Sequence, residues 1–268
     1  MPARLHSPAL VLSSALVLAA SLAWLQRAGA GNSAVLLLGL AAGLAAACIV
    51  LVRRDERARH ERELIAALGE PLLAARPFEP AAVQALARQL AEHWFVAGRR
   101  LLPVVAFAEG ASAVLSSELG RALAALGVRT LLVDADLRTP RLHERFAVPE
   151  GEGLADALDA FDTRCLRLAA CGENLALFGA GRAREHPLEL LSRARLRGLL
   201  GAAGQPFQAV LVCSPCVARG PDFEIFAALA GGALVLAGPR TRPAQLAALR
   251  RQLERCAARL VATLVERG

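Results

Sequence analysis

The sequence predicts an α/β protein with a doubly wound, mostly parallel sheet, preceded by a two-helix transmembrane hairpin. Two observations predict this organisation. After residue 100, short apolar runs alternate with segments of helical apolar spacing, which is typical of right-handed βαβ units. Before residue 53, two long apolar stretches are separated by a short glycine-containing break. The length of 268 residues suits one such domain plus a small addition, since a domain typically takes about 100–200 residues.

The hairpin is predicted over Ala9–Leu25 and Ser33–Val52, and the second stretch carries no charge. About 20 helical residues reach about 30 Å, which is the thickness of a bilayer core. Arginines crowd the segment that follows the second stretch, whereas the break holds only Arg27. The positive-inside rule therefore predicts that both termini and the main domain are cytoplasmic. A signal peptide cleaved after Ala28–Ala30 is the alternative interpretation of the first stretch.

Three regions are expected: the hairpin (1–52), a charged juxtamembrane segment and linker (53–78) and a cytoplasmic domain (79–268). In the last, a helix is predicted over Ala81–Val96. Strands are predicted over Leu102–Phe107, Thr130–Asp134, Asn174–Phe178, Gln208–Cys213, Ala233–Ala237 and Arg259–Val265, and further helices over Ala113–Leu126, Pro187–Leu200, Asp222–Ala230 and Arg242–Ala257. Ligands of parallel sheets bind at the carboxyl ends of the strands. These ends fall at 107–112, 134–138 and 213–216.

Composition excludes several chemistries. All 31 basic residues are Arg because Lys is absent, and Tyr is absent too, so neither a lysine-dependent site nor tyrosine phosphorylation is available. The net charge is +7, but the arginines are scattered without interleaved aromatic residues, which does not favour nucleic-acid binding. A reducing cytoplasm argues against a disulfide framework among the cysteines of the main domain.

A phosphate-binding loop is expected between the first strand and its helix. Such a loop needs glycines, a lysine and a Ser or Thr that holds Mg²⁺. Over residues 106–113 only Gly110 and Ser112 fit that pattern. The second strand ends in Asp134 and Asp136, followed by a basic turn that includes Arg138. An aspartate at a strand end is most often a helix cap, but here the whole segment also resembles a motif of a known protein family.

The segments of residues 78–268 resemble, in order and spacing, the bacterial tyrosine kinases of capsule and exopolysaccharide synthesis. That family is a branch of the deviant-Walker P-loop ATPases, so the resemblance implies a P-loop NTPase-like fold. It rests on the segments PFEP (77–80), VDADLRTPRLHERF (133–146), GLADAL (153–158) and HPLELL (186–191), and on a strand ending CSP (213–215) where the family has DTP.

The resemblance implies a degenerate nucleotide site. Its expected members are Glu109, Gly110, Ala111, Ser112, Ala113, Asp134, Asp136 and Arg138. Asp134 and Asp136 match the family's pair that serves Mg²⁺ and catalysis. Ser112 and Asp134 are the vestigial Mg²⁺ candidates, and Asp222 matches an aspartate that follows the third motif.

The departures from the family pattern affect the chemistry directly. The loop lysine is replaced by Ala111, or by Ser112 in a shifted alignment, and the preceding glycine by Ala108. The third-motif aspartate is Cys213, although Mg²⁺ prefers oxygen ligands. The family's oligomerisation motif, E-x-x-R-x-x-R, would fall on Ala81, Gln84 and Ala87, so it is missing at the position where the resemblance implies it. We therefore expect no active catalytic residue and no cofactor, with only weak binding of ATP, ADP or Mg²⁺.

The leading hypothesis is a membrane-anchored, catalytically degenerate scaffold or regulator of exopolysaccharide or capsule synthesis and export, at the bacterial inner membrane. Its expected partners are a chain-length determinant (polysaccharide co-polymerase), a polymerase or an intact kinase relative. An ATPase switch that uses Asp134 and Asp136, of the kinase or partitioning type, is a second hypothesis. A redox or metal module that uses Cys213 and Cys216 is a third.

Overall fold

The computed structural model describes residues 79–96, 98–160, 166–182, 187–192 and 194–265, together with a few helical residues between 42 and 50. The predicted hairpin and linker lie almost wholly outside these residues. Among the described residues no helix is both long and apolar enough to span a bilayer. The chain divides into two units, residues 1–60 and 61–268, and the second carries the fold described below.

The second unit alternates strands and helices. Its helices are α1 (Pro80–His93), α2 (Ala111–Ala125), α3 (Leu142–Arg145), α4 (Leu154–Ala160), α5 (Pro187–Leu191), α6 (Arg195–Gly204), α7 (Asp222–Ala230) and α8 (Pro243–Arg255). Its strands are β1 (Leu101–Ala106), β2 (Thr130–Asp134), β3 (Leu168–Gly172), β4 (Leu175–Phe178), β5 (Ala209–Cys213), β6 (Gly232–Ala237) and β7 (Arg259–Val265). A short 3₁₀ turn, Val217–Arg219, precedes α7.

The strands form one seven-stranded sheet in the order β3-β4-β2-β5-β1-β6-β7. Every pairing is parallel except that of β3 with β4. The predicted mostly parallel sheet is therefore confirmed. Strand β3 was not predicted, because it is an edge strand whose residues alternate between exposed and half-buried, so it lacks the continuous apolar run of the central strands.

Alternate residues of the central strands pack on opposite faces of the sheet. Leu102 and Val104 of β1 join a core cluster with α1 and α2, whereas Val105 joins one with α7 and α8. Leu131 and Val133 of β2 pack with α4, α5 and α6. Helices thus cover both faces, which is the doubly wound arrangement.

The single helix predicted over Pro187–Leu200 is two helices, α5 and α6. At the break the Ser192 hydroxyl donates a hydrogen bond to the carbonyl oxygen of Glu189 (3.0 Å). Serine side chains compete for backbone groups in this way and so favour helix ends over helix interiors.

Candidate nucleotide site at the carboxyl edge of the sheet

Strand order brings the predicted site residues together. Because β2, β5 and β1 are neighbours and parallel, the loops that follow them meet at one edge of the sheet. These loops hold residues 107–110, 135–141 and 214–216, and α2 begins directly after the first. The predicted site is therefore assembled in space, whatever its chemistry.

The loop after β1 ends in a left-handed turn directly before α2. Gly110 caps α2 in the left-handed region (φ 72°), a conformation that glycine adopts without strain. A Cβ at Gly110 would lie 3.3 Å from Cδ of Arg141, so the Arg141 side chain lies against this turn.

A cleft of about 380 Å³ opens at the loop. Its lining includes Ala111, one of the two positions at which the resemblance implies the family's lysine, together with two arginines and two glutamates, Arg141, Arg145, Glu109 and Glu144. The cleft therefore has no excess of positive charge. Arg141 belongs to the basic turn after β2, from which an arginine could partly compensate for the missing lysine.

The candidate metal hydroxyl of Ser112 is already engaged. Ser112 is buried, and its hydroxyl donates to the carbonyl oxygen of Ser214 (2.7 Å). The Cys213 thiol in turn donates to the Ser112 oxygen, with 3.6 Å between Sγ and Oγ. Burial raises the pKa of the Cys213 thiol well above its ordinary value, so the group is neutral at pH 7.

Asp134 holds the turn that follows β2. Its carboxylate, 1% exposed, accepts backbone N–H bonds from Asp136 (3.2 Å), Arg141 (3.1 Å) and Leu142 (2.9 Å). Burial raises the pKa of Asp134 to about 6, although these three hydrogen bonds favour the ionised form. Asp134 therefore organises the loop and the start of α3.

Asp136 has a similar role within the same turn. One of its oxygens accepts from the backbone N–H groups of Arg138 (3.3 Å) and Thr139 (3.1 Å), and the other from the Thr139 hydroxyl (3.0 Å). These are the hydrogen bonds of a side chain that stabilises a turn.

Arg138 is committed to an ion pair with Asp222, which is fully buried at the start of α7. The arginine side chain is only 20% exposed. Arg138 and Asp222 were each singled out from the sequence, but nothing in the sequence indicated that they pair.

We expect Asp222→Asn to lower the free energy of unfolding by about 2 kcal/mol, because it leaves Arg138 without its charged partner in a largely dry site. Partial exposure of Arg138 lets water offset part of the loss. Chemical denaturation of the variant measures the effect. Glu118→Gln is the matched control: Glu118 pairs with Arg121 and Arg145 at the surface, so its loss is expected to cost under about 1 kcal/mol.

A second ion pair crosses the phosphate loop. Arg219, in the 3₁₀ turn after β5, contacts Glu109 of the loop at 2.8 Å through both Nε and Nη2. Sequence reasoning missed Arg219, and no local pattern pointed to it. The pair links the loops after β1 and β5 across the mouth of the site.

The groups that the resemblance assigns to a phosphate and Mg²⁺ are engaged within the protein. Ala111 or Ser112 stands at the expected lysine position, and the neutral Cys213 thiol stands at the expected third-motif carboxylate. The Ser112 hydroxyl oxygen accepts from that thiol, and the oxygens of Asp134 accept three backbone N–H bonds.

Cys213 and Cys216 are both buried and free. Among the described residues no group of three or more His, Cys, Asp or Glu side chains is placed to hold a metal ion. The redox or metal hypothesis gains no support from this part of the chain. Cys165 and His186 lie outside the described residues.

Known proteins share this fold and part of this sequence. Tyrosine-protein kinase YwqD of Bacillus subtilis is 28% identical over 141 residues, which are 52% of this chain and 60% of the relative. Tyrosine-protein kinase Ptk of Acinetobacter johnsonii is 28% identical over 174 residues, which are 62% of this chain and 24% of the relative. No family model matches the chain.

Solved structures of bacterial tyrosine kinase domains have a similar fold to this chain. The chimerical protein CapA2B2 superposes with a TM-score of 0.66 at 21% identity, covering 76% of this chain and 97% of that one. The kinase domain of the Escherichia coli tyrosine kinase ETK gives a TM-score of 0.62 at 24% identity, covering 69% and 74%. This chain is similar to bacterial tyrosine kinases in sequence and in fold. The cell-division ATPase MinD of Pyrococcus furiosus shares the fold more distantly, with a TM-score of 0.51 at 15% identity over 61% of this chain and 71% of that one.

The match to the bacterial tyrosine kinases is partial. The chain spans 60% of the length of YwqD and 24% of the length of Ptk. The predicted resemblance is confirmed, and with it the P-loop ATPase fold.

Proposed function

We propose that this chain is a membrane-anchored, catalytically degenerate relative of the bacterial tyrosine kinases that acts as a docking module in exopolysaccharide or capsule synthesis. The module works at the bacterial inner membrane with its main domain in the cytoplasm. Its partner is a chain-length determinant, a polymerase or an intact kinase. The proposal combines the kinase fold with a site that lacks the groups for phosphoryl transfer.

The observation that carries the proposal is the buried hydrogen-bond chain from Cys213 to Ser112 to the Ser214 carbonyl oxygen. A divalent cation at this place needs an ionised carboxylate and a free hydroxyl oxygen. Here the carboxylate is replaced by a neutral thiol, and that thiol donates its proton to the hydroxyl oxygen that would have to bind the cation. Phosphoryl transfer depends almost wholly on positioned charge, so this replacement together with the missing lysine removes its basis.

We expect the full chain, purified in a neutral detergent, to bind ATP and ADP in the presence of Mg²⁺ about a thousandfold more weakly than an intact bacterial tyrosine kinase. A hydrogen bond to a charged group contributes about 1.5–3 kcal/mol, and several such groups are missing. Calorimetric titration measures both proteins side by side. Micromolar binding with ATP turnover would refute the proposal and favour the ATPase-switch hypothesis.

A second experiment tests in cells whether the docking function needs a nucleotide. Ala111→Glu places a negative charge in the cleft where a phosphate would have to lie, while an acidic residue in the first turn of α2 is compatible with the helix dipole. A docking module that needs no nucleotide is expected to restore polymer production in a deletion strain as well as wild type does. Loss of polymer at an unchanged protein level would contradict nucleotide independence.

A further inference from the structure

A groove away from the nucleotide site lies between α1, α8 and the edge strand β7. Its volume is about 580 Å³. Apolar side chains form most of its walls: Leu86, Leu90, Trp94, Leu253, Leu260 and Val261. We call this the α1–α8 groove.

Trp94 marks the end of the α1–α8 groove and is flanked by two arginines. Its indole is 2% exposed and donates to the carbonyl oxygen of Leu101 (3.1 Å). The guanidinium carbons of Arg99 and Arg259 lie 5.4 and 5.1 Å from the centroid of this one ring. Cation–π contacts of this kind fix the guanidinium groups beside the groove.

Neither arginine has a carboxylate partner among the described residues, and both are exposed. The remaining charged side chains on the walls are His93, Arg250 and Glu254, of which Arg250 donates to Glu254 at 2.8 Å and so neutralises it. Arg259 on the wall and Arg99 beside Trp94 therefore offer two positive charges, without a carboxylate partner in the described part of the chain, next to the apolar floor of the groove.

The shape of the groove favours a chain segment over a bilayer. Leu86, Leu90 and Leu253 lie in the floor and are at most 3% exposed, so a flat lipid surface does not reach them. Strand β7 forms one wall, and a bulge at Val261 interrupts its register with β6. Bulges on edge strands hinder the simple addition of another strand, so side chains of the occupant must supply most of the contact.

We propose that the α1–α8 groove docks an acidic segment of a partner protein, with apolar side chains seated on the floor and carboxylates on Arg99 and Arg259. The net charge of +7 disfavours a second copy of this chain and favours an acidic partner. This inference rests on the proposed docking function and names the surface and the chemistry of the partner.

The test uses the full chain in neutral detergent, without nucleotide, against a randomised peptide library displayed on phage. Enriched peptides are expected to combine Asp or Glu with large apolar residues. Fluorescence anisotropy of the strongest synthetic peptide is then measured with wild type and with Arg99→Gln/Arg259→Gln. The double variant is expected to bind about tenfold more weakly or worse, and added salt is expected to weaken wild-type binding.

Arg197→Gln is the matched control, because Arg197 is exposed on α6, away from the α1–α8 groove. Thermal unfolding checks that each variant folds. If the double variant does not fold, Val261→Glu tests the same groove. Enrichment of non-acidic peptides, equal binding by the variants, or competition by phosphatidylglycerol vesicles would overturn the proposal. If no acidic peptide binds and the protein also binds no nucleotide, the α1–α8 groove is rejected as the docking surface, but the proposed docking function is not. If the protein turns over ATP, the proposed docking function is rejected, whatever the peptides do.

Discussion

Asp134→Asn is expected to remove about 3 kcal/mol of pH-dependent stability from the second unit. Burial raises the pKa of Asp134 from 3.8 to about 6 in the folded protein. Each pKa unit corresponds to about 1.4 kcal/mol, so a shift of this size is worth about 3 kcal/mol between the two protonation states.

Whether the free energy of unfolding rises or falls with pH depends on which state, folded or unfolded, holds the proton. Well below pH 3.8 the carboxyl is protonated in both the folded and the unfolded state, and its contribution to stability is fully present. Between about pH 4 and 6 the unfolded chain releases the proton first, so the free energy of unfolding falls as pH rises, and above about pH 6 it levels off. In Asp134→Asn the free energy of unfolding does not show this fall between pH 4 and 6, because the asparagine side chain does not ionise.

Urea unfolding of wild type and Asp134→Asn at pH 4 and pH 7.5 measures the difference. Wild type is expected to exceed the variant by about 2.4 kcal/mol more at pH 4 than at pH 7.5, because the unfolded carboxyl is already partly ionised at pH 4. Glu173→Gln, at an exposed turn between β3 and β4, is the control for general charge effects. Parallel pH profiles for wild type and Asp134→Asn would show that Asp134 does not titrate in this way.

Gly153→Ala is expected to lower the free energy of unfolding by about 3 kcal/mol and Tm by about 6–12 °C. Gly153 precedes α4 and packs directly against the backbone of the turn after β4. A Cβ there would collide with the Gly181 nitrogen and the Gly179 oxygen and lie 2.7 Å from the carbonyl carbon of Ala180. All three are backbone atoms, so no side-chain rotation relieves the clash.

The backbone contacts at this point are themselves stabilising. The N–H groups of Leu154 and Ala155 donate to the carbonyl oxygens of Gly179 (2.8 Å) and Ala180 (2.9 Å). Moving α4 to make room lengthens both bonds, each worth about 1 kcal/mol. Gly151→Ala is the matched control, because a Cβ at Gly151 meets nothing within 4 Å. Equal thermal stability of the two variants would contradict the close approach.

The local sequence was enough for the central strands and for the position of the site. Runs such as Thr130–Asp134 are buried along their whole length, so their hydrophobicity alone indicates strands of a covered parallel sheet. Gly110 and the Asp134–Asp136 pair stand at strand ends, and the order of strands and helices follows from their spacing. Strand β3 escaped prediction because half of its residues face outward.

What the sequence by itself determined is the fold class, the place of the candidate site and the absence of lysine and tyrosine. What the tertiary structure decided is which distant side chains meet there: Arg138 with Asp222, Glu109 with Arg219, and Cys213 with Ser112. Each pair is more than 80 residues apart in the chain. Only the strand order β2-β5-β1 brings their loops to one edge, because hydrophobic periodicity specifies which residues are buried but not which polar groups become neighbours.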